Sequence, residues 1–522
     1  MRSYDAIVIG GGHNGLVHAA YLARAGRRVL VLERRHVLGG AAVTEEVFPG
    51  FHVSVCSYVV SLLRPQIIRE LDLARHGFEV LPLDGTFTPM PNGNYLWRVN
   101  DHGRTRREIL RHSRLDAEAY DEYGRAMIDM ARFVKPTLDR RAPDPLSLSP
   151  ADLRDLLRLG RRFQSMSSES RYRLVQLMTM SAADFLDQWF ETDVLKATMS
   201  ASGIIGTFQG VRSPGTAYVL LHHYMGEIDG AFRSWGFAKG GTGAISNAIA
   251  AAAREAGVEI RTNARVSRIV TKNGRATGVA LENGDQIDAT IVSSSVDPRL
   301  TFTKFLDARE LPGDFLDEVR RYKFRGSSGK VNLALDGLPN FVSVPGETRH
   351  LRGAISISPS LEYMERAYDD AKYGRFSRHP YMDVVIPSLT DPSIAPAGKH
   401  VMTCFVQYAP YHLKNTTWDA ERDAFGDAVI DTLSEYAPNL KSLILHRQVI
   451  TPLDLEREWG LSEGNIFQGE LALEQLLFLR PVPGWAKYRT PIANLYMCGS
   501  ATHPGGGIMG APGRNAALEI LT

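Results

Sequence analysis

The 522-residue sequence predicts an α/β protein in which a parallel-sheet domain is split along the chain and interrupted by an α+β domain. Three observations predict it. A strand, a glycine turn and a helix open the chain at Ile7. A glycine-marked helix and an antiparallel meander stand in its middle, from Gly240 to Ser294. A last strand, a glycine-rich turn and a helix close it from Leu495. None of these pieces completes a sheet alone, so the fold must bring all three together.

In the first piece, Ile7, Val8 and Ile9 read as a buried parallel strand, and Gly10, Gly12 and Gly15 follow at the spacing GxGxxG. The first glycine allows the tight turn, the second lets backbone approach a pyrophosphate, and the third lets the helix lie close to the strand. Leu16, Ala19, Ala20 and Ala23 recur at helical spacing, and Gly26 stops the helix. Val29 to Leu32 form a second strand that ends in Glu33, where a carboxylate accepts hydrogen bonds from a ribose and repels a 2′-phosphate. This is a Rossmann-type dinucleotide unit. Asn14 at the helix start, Arg34 beside the acid, and Gly39, Gly40 and Ala41 just beyond are further candidate cofactor contacts. The unit alone leaves FAD and NAD both open.

Length and composition bound the rest. A chain of 522 residues is too long for one ordinary core. Hydrophobic residues at 44% with 23% charged describe a globular protein, and no apolar run approaches the roughly 20 residues that span a bilayer. The first strand begins almost at Met1, so no targeting segment is expected and a cytoplasmic location is the default. Cys56, Cys404 and Cys498 are isolated, which predicts neither a disulfide framework nor a metal site. A net charge of +2 gives no pull toward nucleic acid. The oligomeric state is not legible.

The stretch LERRHVLGGAAVTEEVFPGF, with SLLRPQI from Ser61 to Ile67, resembles the phytoene-dehydrogenase-like flavoproteins. It is most similar to the branch typified by pyridine nucleotide-disulphide oxidoreductase domain-containing protein 2, with carotenoid desaturases, isomerases and ketolases more distant. The resemblance implies a fold of the two-dinucleotide-binding flavoprotein type, one non-covalent FAD and an apolar substrate.

From about Leu71 to Tyr224 long charged helices dominate. In ADLRDLLRLGRRFQSM, Leu153, Leu156, Leu157, Phe163 and Met166 make an apolar stripe flanked by Arg154, Arg158, Arg161 and Arg162. Two readings stay open: a domain helix with its stripe in the core, or a helix lying on an anionic membrane surface. Phe185, Trp189, Phe190, Phe208, Tyr218, Tyr224 and Trp235 are expected in the core or along an apolar tunnel. His222 and His223 are candidate polar groups near a flavin, against the plainer reading of hydrogen-bonded core histidines.

Gly240, Gly241 and Gly243 precede an alanine-rich helix, and the turns Asn273-Gly274 and Asn283-Gly284 separate three alternating runs, which predicts a three-stranded meander. The resemblance places a backbone contact to adenine at Val266. Residues 301–450 read as strands (KVNLAL, AISIS, MDVVIPSL, HVMTCFVQ) with a helix from Trp418 to Tyr436, and Asp383 and Asp391 as turn or surface residues.

At the end, Gly499 begins a tight turn after the last strand, and Gly505 to Gly507 let backbone approach a planar ligand before the final helix near Pro512. Ser500, Gly507, Ile508 and Met509 are the candidate contacts. Similar flavoproteins often carry an acid where Ser500 stands, so that carboxylate contact is missing here. His503, in THPGGG, is a third candidate polar group at the flavin.

The expected organisation is an FAD-binding domain from residues 1–70, 230–300 and 451–522, with a substrate domain from 71–229 and 301–450. The expected function is FAD-dependent hydride transfer to or from an apolar, polyene or isoprenoid-like substrate, with peripheral membrane contact. A flavin-binding scaffold with weak or lost redox activity, and a dehydrogenase using NAD alone, are the alternatives.

Overall fold

A computed structural model of the chain describes residues 4–228, 231–232 and 234–522. The expected domain boundary at residue 230 lies outside the described residues.

Two seven-stranded sheets organise the molecule. In the first, Glu259–Arg261, Val29–Leu32, Tyr4–Ile9, Gln286–Ser294 and Leu495–Met497 run parallel in that spatial order. Gln286–Ser294 serves twice. Its first residues pair antiparallel with Arg275–Leu281, which pairs with Val266–Lys272, and its later residues join the parallel sheet. The meander and the parallel strands are thus one sheet.

Side-chain alternation along these strands explains the layers. Ala6, Val8, Val29 and Val31 point to one face and pack on the helices His13–Arg24, Gly243–Glu255 and Ala511–Leu521. Ile7, Ile9, Leu30 and Leu32 point to the other and pack with Val266, Ile269 and Val279. Phe302, Phe315 and Val319 share this second core. Residues 302–319 therefore pack with the nucleotide sheet, although the sequence placed them in the second unit; their apolar residues cover the face opposite the three helices.

The second sheet runs Ile444–Ile450, Ser328–Leu335, His400–Gln407, Tyr381–Val385, Ala354–Ile357, Gly85–Pro89 and Tyr95–Val99. Val331, Cys404, Val384, Ile355 and Phe87 face the helix Trp418–Tyr436 and form a core with Phe425 and Val429. The opposite face is roofed by helices that include Arg114–Val134, Asp193–Ser200 and Thr216–Tyr224. Among the described residues no helix is long and apolar enough to cross a membrane.

The helix Pro150–Ser165 does not hold its stripe as one buried face. Phe163 and Met166 pack on the helical core, whereas Leu153 is 44% and Leu157 63% exposed, and Asp152 is the helix's buried residue.

Candidate functional site

One cavity of about 1380 Å³ runs between the two sheets. Of the residues singled out in the sequence, Gly10, Gly12, Asn14, Glu33, Arg34, Gly39, Gly40, Ala41, Val266, Ser500, Gly507, Ile508 and His223 line it.

The turn after Tyr4–Ile9 makes one wall. Gly10 adopts φ +96°, a conformation that favours glycine. Gly12 caps the helix His13–Arg24 with no side-chain hydrogen bond, and no acidic residue stands in the first turn. The first amides of that helix therefore point at the cavity with no partner from the chain, an arrangement that suits phosphate oxygens. A Cβ built on Gly12 would meet only the Gly39 carbonyl, at 4.0 Å, so the space above it is open. Asn14 donates through Nδ2 to Ser500 Oγ at 3.0 Å and thereby ties the opening turn to the closing loop. Its Oδ1, and Nε2 of the neighbouring His13, are buried without a partner.

Glu33 is buried and already organised. Its Oε2 accepts from the Gly11 amide at 2.8 Å and its Oε1 from the Arg35 amide at 2.9 Å. The carboxylate holds the turn while its remaining lone pairs face the cavity. Arg34 lines the wall beside it and donates through Nη2 to the carbonyl of Glu458 at 2.8 Å. Val266 also lines the cavity, with Arg265 and Glu282, and is the residue for which the resemblance implies a backbone contact to adenine.

The closing loop makes the opposite wall. Ser500, Gly507 and Ile508 line the cavity, whereas Gly499 does not: a Cβ there would stand 2.3 Å from the Ser295 carbonyl, so this glycine serves strand packing. Gly15 is likewise behind the wall, with its would-be Cβ 2.3 Å from the Gly10 carbonyl. Met509 is buried in the helical core, and its carbonyl accepts from the Arg64 amide at 3.1 Å. The loop is held from below by Arg480, which is fully buried. Its guanidinium donates to the carbonyls of Ser500 (2.9 Å), Phe467 (2.9 Å), Gly469 (3.1 Å), Glu470 (3.1 Å) and Gln475 (3.3 Å).

The histidines separate. His223 lines the cavity, stacks on Trp235 with ring centroids 6.2 Å apart, and has Nδ1 held 3.0 Å from the Val219 carbonyl. Burial pushes it down to about 4, so it is neutral at pH 7. His222 and His503 are not on the cavity wall. His222 is pushed down to about 3, chiefly by burial, against the backbone of Gly506. His503 donates through Nε2 to the Thr137 carbonyl at 2.9 Å and braces the closing loop against the helical domain. Of the aromatic residues expected along a tunnel, Tyr224 and Trp235 line the cavity, while Phe185, Phe190 and Tyr218 lie in the helical core.

The second sheet supplies the floor. Register places Lys330 opposite Phe405, Phe405 opposite Asp383, and Asp383 opposite Ser356; Ala354, two residues earlier on that strand, faces Thr86, which pairs with Arg98. All seven therefore point to the cavity side. Asp383 is a half-buried strand residue, not the turn or surface residue expected, because this face is covered by the helical roof. Its Oδ2 accepts from the Tyr58 hydroxyl at 3.0 Å, and burial pushes its carboxyl up to about 6. Burial pushes Lys330 down to about 7, with Nζ donating to the carbonyls of Ser54 (2.6 Å) and Ser57 (3.3 Å). Sequence reasoning missed Lys330, Asp383, Arg98 and Arg480. The signal available for the first three was a charged residue at an alternating position within an otherwise apolar strand.

These features fit an extended dinucleotide whose pyrophosphate sits on Gly12 and whose ring system lies against Gly507 and Ile508. The flavin-containing amine oxidoreductase family model matches residues 15–521. The chain belongs to that family. It is 41% identical to rat pyridine nucleotide-disulfide oxidoreductase domain-containing protein 2, over 99% of this chain and 93% of that protein. It is 26% identical to a limonene dehydrogenase polypeptide of Castellaniella defragrans (100% and 95% covered) and 27% to a lycopene-forming phytoene desaturase of Pseudescherichia vulneris (99% and 98%). An oxidoreductase from Methanosarcina mazei shares the fold at TM-score 0.61 and 17% identity, with 99% of each chain covered. FAD is the cofactor, and the protein is an FAD-dependent oxidoreductase.

Proposed function

We propose that the protein moves hydride between a non-covalently held FAD and an elongated, largely apolar substrate of isoprenoid type. The observation that carries this is one cavity lined both by Gly507 and Ile508 and by the apolar or aromatic side chains Tyr58, Ile205, Leu220, Tyr224, Trp235 and Phe405. Two relatives bear names that denote isoprenoid substrates, limonene and phytoene, which supports the reading. Bound FAD supplies the two-electron acceptor or donor. The chain's part is to orient a long apolar body and keep water away, because hydride transfer from a hydrocarbon needs little acid–base help. Neutral His223 and the Tyr58–Asp383 pair are polar groups able to take up or return the accompanying proton. Cys56 on the wall has its thiol pushed up to about 12, chiefly by burial, and so is no nucleophile toward the flavin ring.

Anaerobic mixing of the holoprotein with candidate donors tests this. Long isoprenoid hydrocarbons are expected to bleach the oxidised flavin band, and short primary amines to leave it unchanged. Bleaching by amines alone would reassign the substrate.

The exposed leucines favour a second reading, that the helix Pro150–Ser165 rests on an anionic membrane. Leu146 and Leu148 just before it are 90% and 86% exposed, next to Leu153 and Leu157. Arg154, Arg158 and Arg161 are exposed on the same helix. Insertion of these leucines beside basic side chains would deliver the protein to the phase in which apolar substrates dissolve. Co-sedimentation with phosphatidylglycerol vesicles at low ionic strength is expected, falling as salt rises and lost in Leu153→Glu/Leu157→Glu. Sedimentation unchanged by that double variant would dismiss the helix as the contact.

A further inference from the structure

Arg98 stands on Tyr95–Val99, the edge strand of the floor sheet, and points into the cavity. It is 6% exposed. Its Nε and Nη1 have no hydrogen-bond partner, and no ion pair to it is found among the described residues. Tyr120 and Tyr123 of the roof helix and Asp383 of the floor are near enough to act on its charge. Asp383 does not pair with it and accepts from Tyr58 instead.

An unpaired guanidinium in such a place costs several kcal/mol. Arg480 shows the other solution within this same chain: equally buried, it is saturated by backbone carbonyls. Arg98 has been left its donors. Its surroundings also fix the sign and size of what would complete it. On the cavity side of the sheet Lys330 is held by the carbonyls of Ser54 and Ser57 and Asp383 by the Tyr58 hydroxyl, so of these three charged side chains Arg98 is the one left with unused donors. One guanidinium with no second cation beside it suits a monoanion, and a planar fork of N–H donors suits a carboxylate best. A diphosphate would need several cations, and an amine would add to the positive charge.

Position agrees with this. Asn100 and His102 follow Arg98 in the chain and also line the cavity, and His102 is exposed and hydrogen-bonded to Asp121, so the cavity opens to the surface just past the Arg98 strand. Gly507 and Ile508 line the same cavity, as do Tyr224, Trp235 and Phe467.

We propose that Arg98 is the receptor for a substrate carboxylate, so that the substrate is an amphipathic acid with its apolar chain directed to the flavin and its carboxylate held near the entrance. This rests on the apolar-substrate reading and narrows it. The carboxylate anchor sets how far the chain reaches inward, and therefore which carbon meets the flavin.

Binding to the holoprotein, followed through the visible flavin spectrum and by calorimetry, tests it with hexadecanoate and hexadecanol as non-reacting probes of equal length. The wild-type protein is expected to bind the acid at least tenfold more tightly than the alcohol. Arg98→Met should erase that preference by weakening the acid alone, and Arg98→Lys should restore part of it. Without ligand, Arg98→Met should melt no lower than wild type, since an unpaired buried charge has been removed; a structural role would lower the melting temperature instead. Equal binding of acid and alcohol by the wild type, or a preference that survives in Arg98→Met, overturns the carboxylate receptor and leaves the apolar reading standing. Failure of both probes to bind overturns the apolar reading and this inference together.

Discussion

Replacing Arg480 with Met is expected to lower the melting temperature of the holoprotein by on the order of 10 °C and to strip most of its FAD. The side chain is fully buried and carries no carboxylate partner; all its donors go to main-chain carbonyls of two segments, 467–475 and Ser500. Methionine fills similar volume but leaves those carbonyls buried and unpaired, at a cost of about 1–3 kcal/mol each where water cannot reach them. Partial relaxation brings the sum to roughly 3–5 kcal/mol, the range for breaking a buried ionic hydrogen-bond network. The damage is not confined to stability. Phe467, whose carbonyl Arg480 holds, packs so closely on Gly206 and Gly506 that a Cβ on either would approach its ring within 1.7 and 2.1 Å. Loosening that ring frees the glycine run that leads to Gly507 and Ile508. Arg480→Lys should fall between, because an ammonium cannot span the spread of acceptors that the guanidinium fork reaches. Differential scanning fluorimetry and the ratio of flavin to protein absorbance read both effects. An unchanged melting temperature would show that the loop is held by its other contacts.

What the sequence made legible was local. The opening turn, the meander and the closing glycines each announce themselves within a few dozen residues, through periodicity and through positions that only glycine fills. Gly10, Gly12, Glu33 and Gly507 could therefore be expected at one nucleotide site from the chain alone, and Val266 from the resemblance, and all five line the same cavity. The floor of the cavity could not. Lys330, Asp383 and Arg98 come from three distant strands, and they share a face only because of the register through Phe405, Ser356, Ala354 and Thr86. Register of that kind is set by the whole sheet. The histidines mislead for the opposite reason. His222 and His503 lie close in sequence to residues at the site, yet the helix and the loop that carry them turn these two rings into the packing, and His223 alone of the three lines the cavity. Arg480 sits in a stretch of short turns with no periodicity, where nothing local separates a buried arginine from a solvated one.

Gly12→Val and Gly15→Val are expected to abolish FAD binding for different reasons, and the difference tests the cofactor site most sharply. At Gly12 the backbone is ordinary and extended, at φ −70° and ψ 164°, so a side chain meets no strain there. It also meets almost no atoms, with the Gly39 carbonyl at 4.0 Å as the nearest. Valine should therefore fold well, and the apoprotein should keep its circular dichroism and its melting temperature. The methyl groups would occupy the space in front of the uncapped helix amides that the pyrophosphate needs, at a cost of at least about 3 kcal/mol, or more than a hundredfold in affinity. At Gly15 a Cβ would stand 2.3 Å from the Gly10 carbonyl and 3.0 Å from Ser295 Cβ. The helix must then move off the sheet, which destabilises the apoprotein itself by roughly 3 kcal/mol. Purified Gly12→Val should thus be colourless yet as stable as flavin-free wild type, and Gly15→Val colourless and unstable. A yellow Gly12→Val protein would move the pyrophosphate elsewhere along the cavity, and with it the assignment of Glu33 to the ribose.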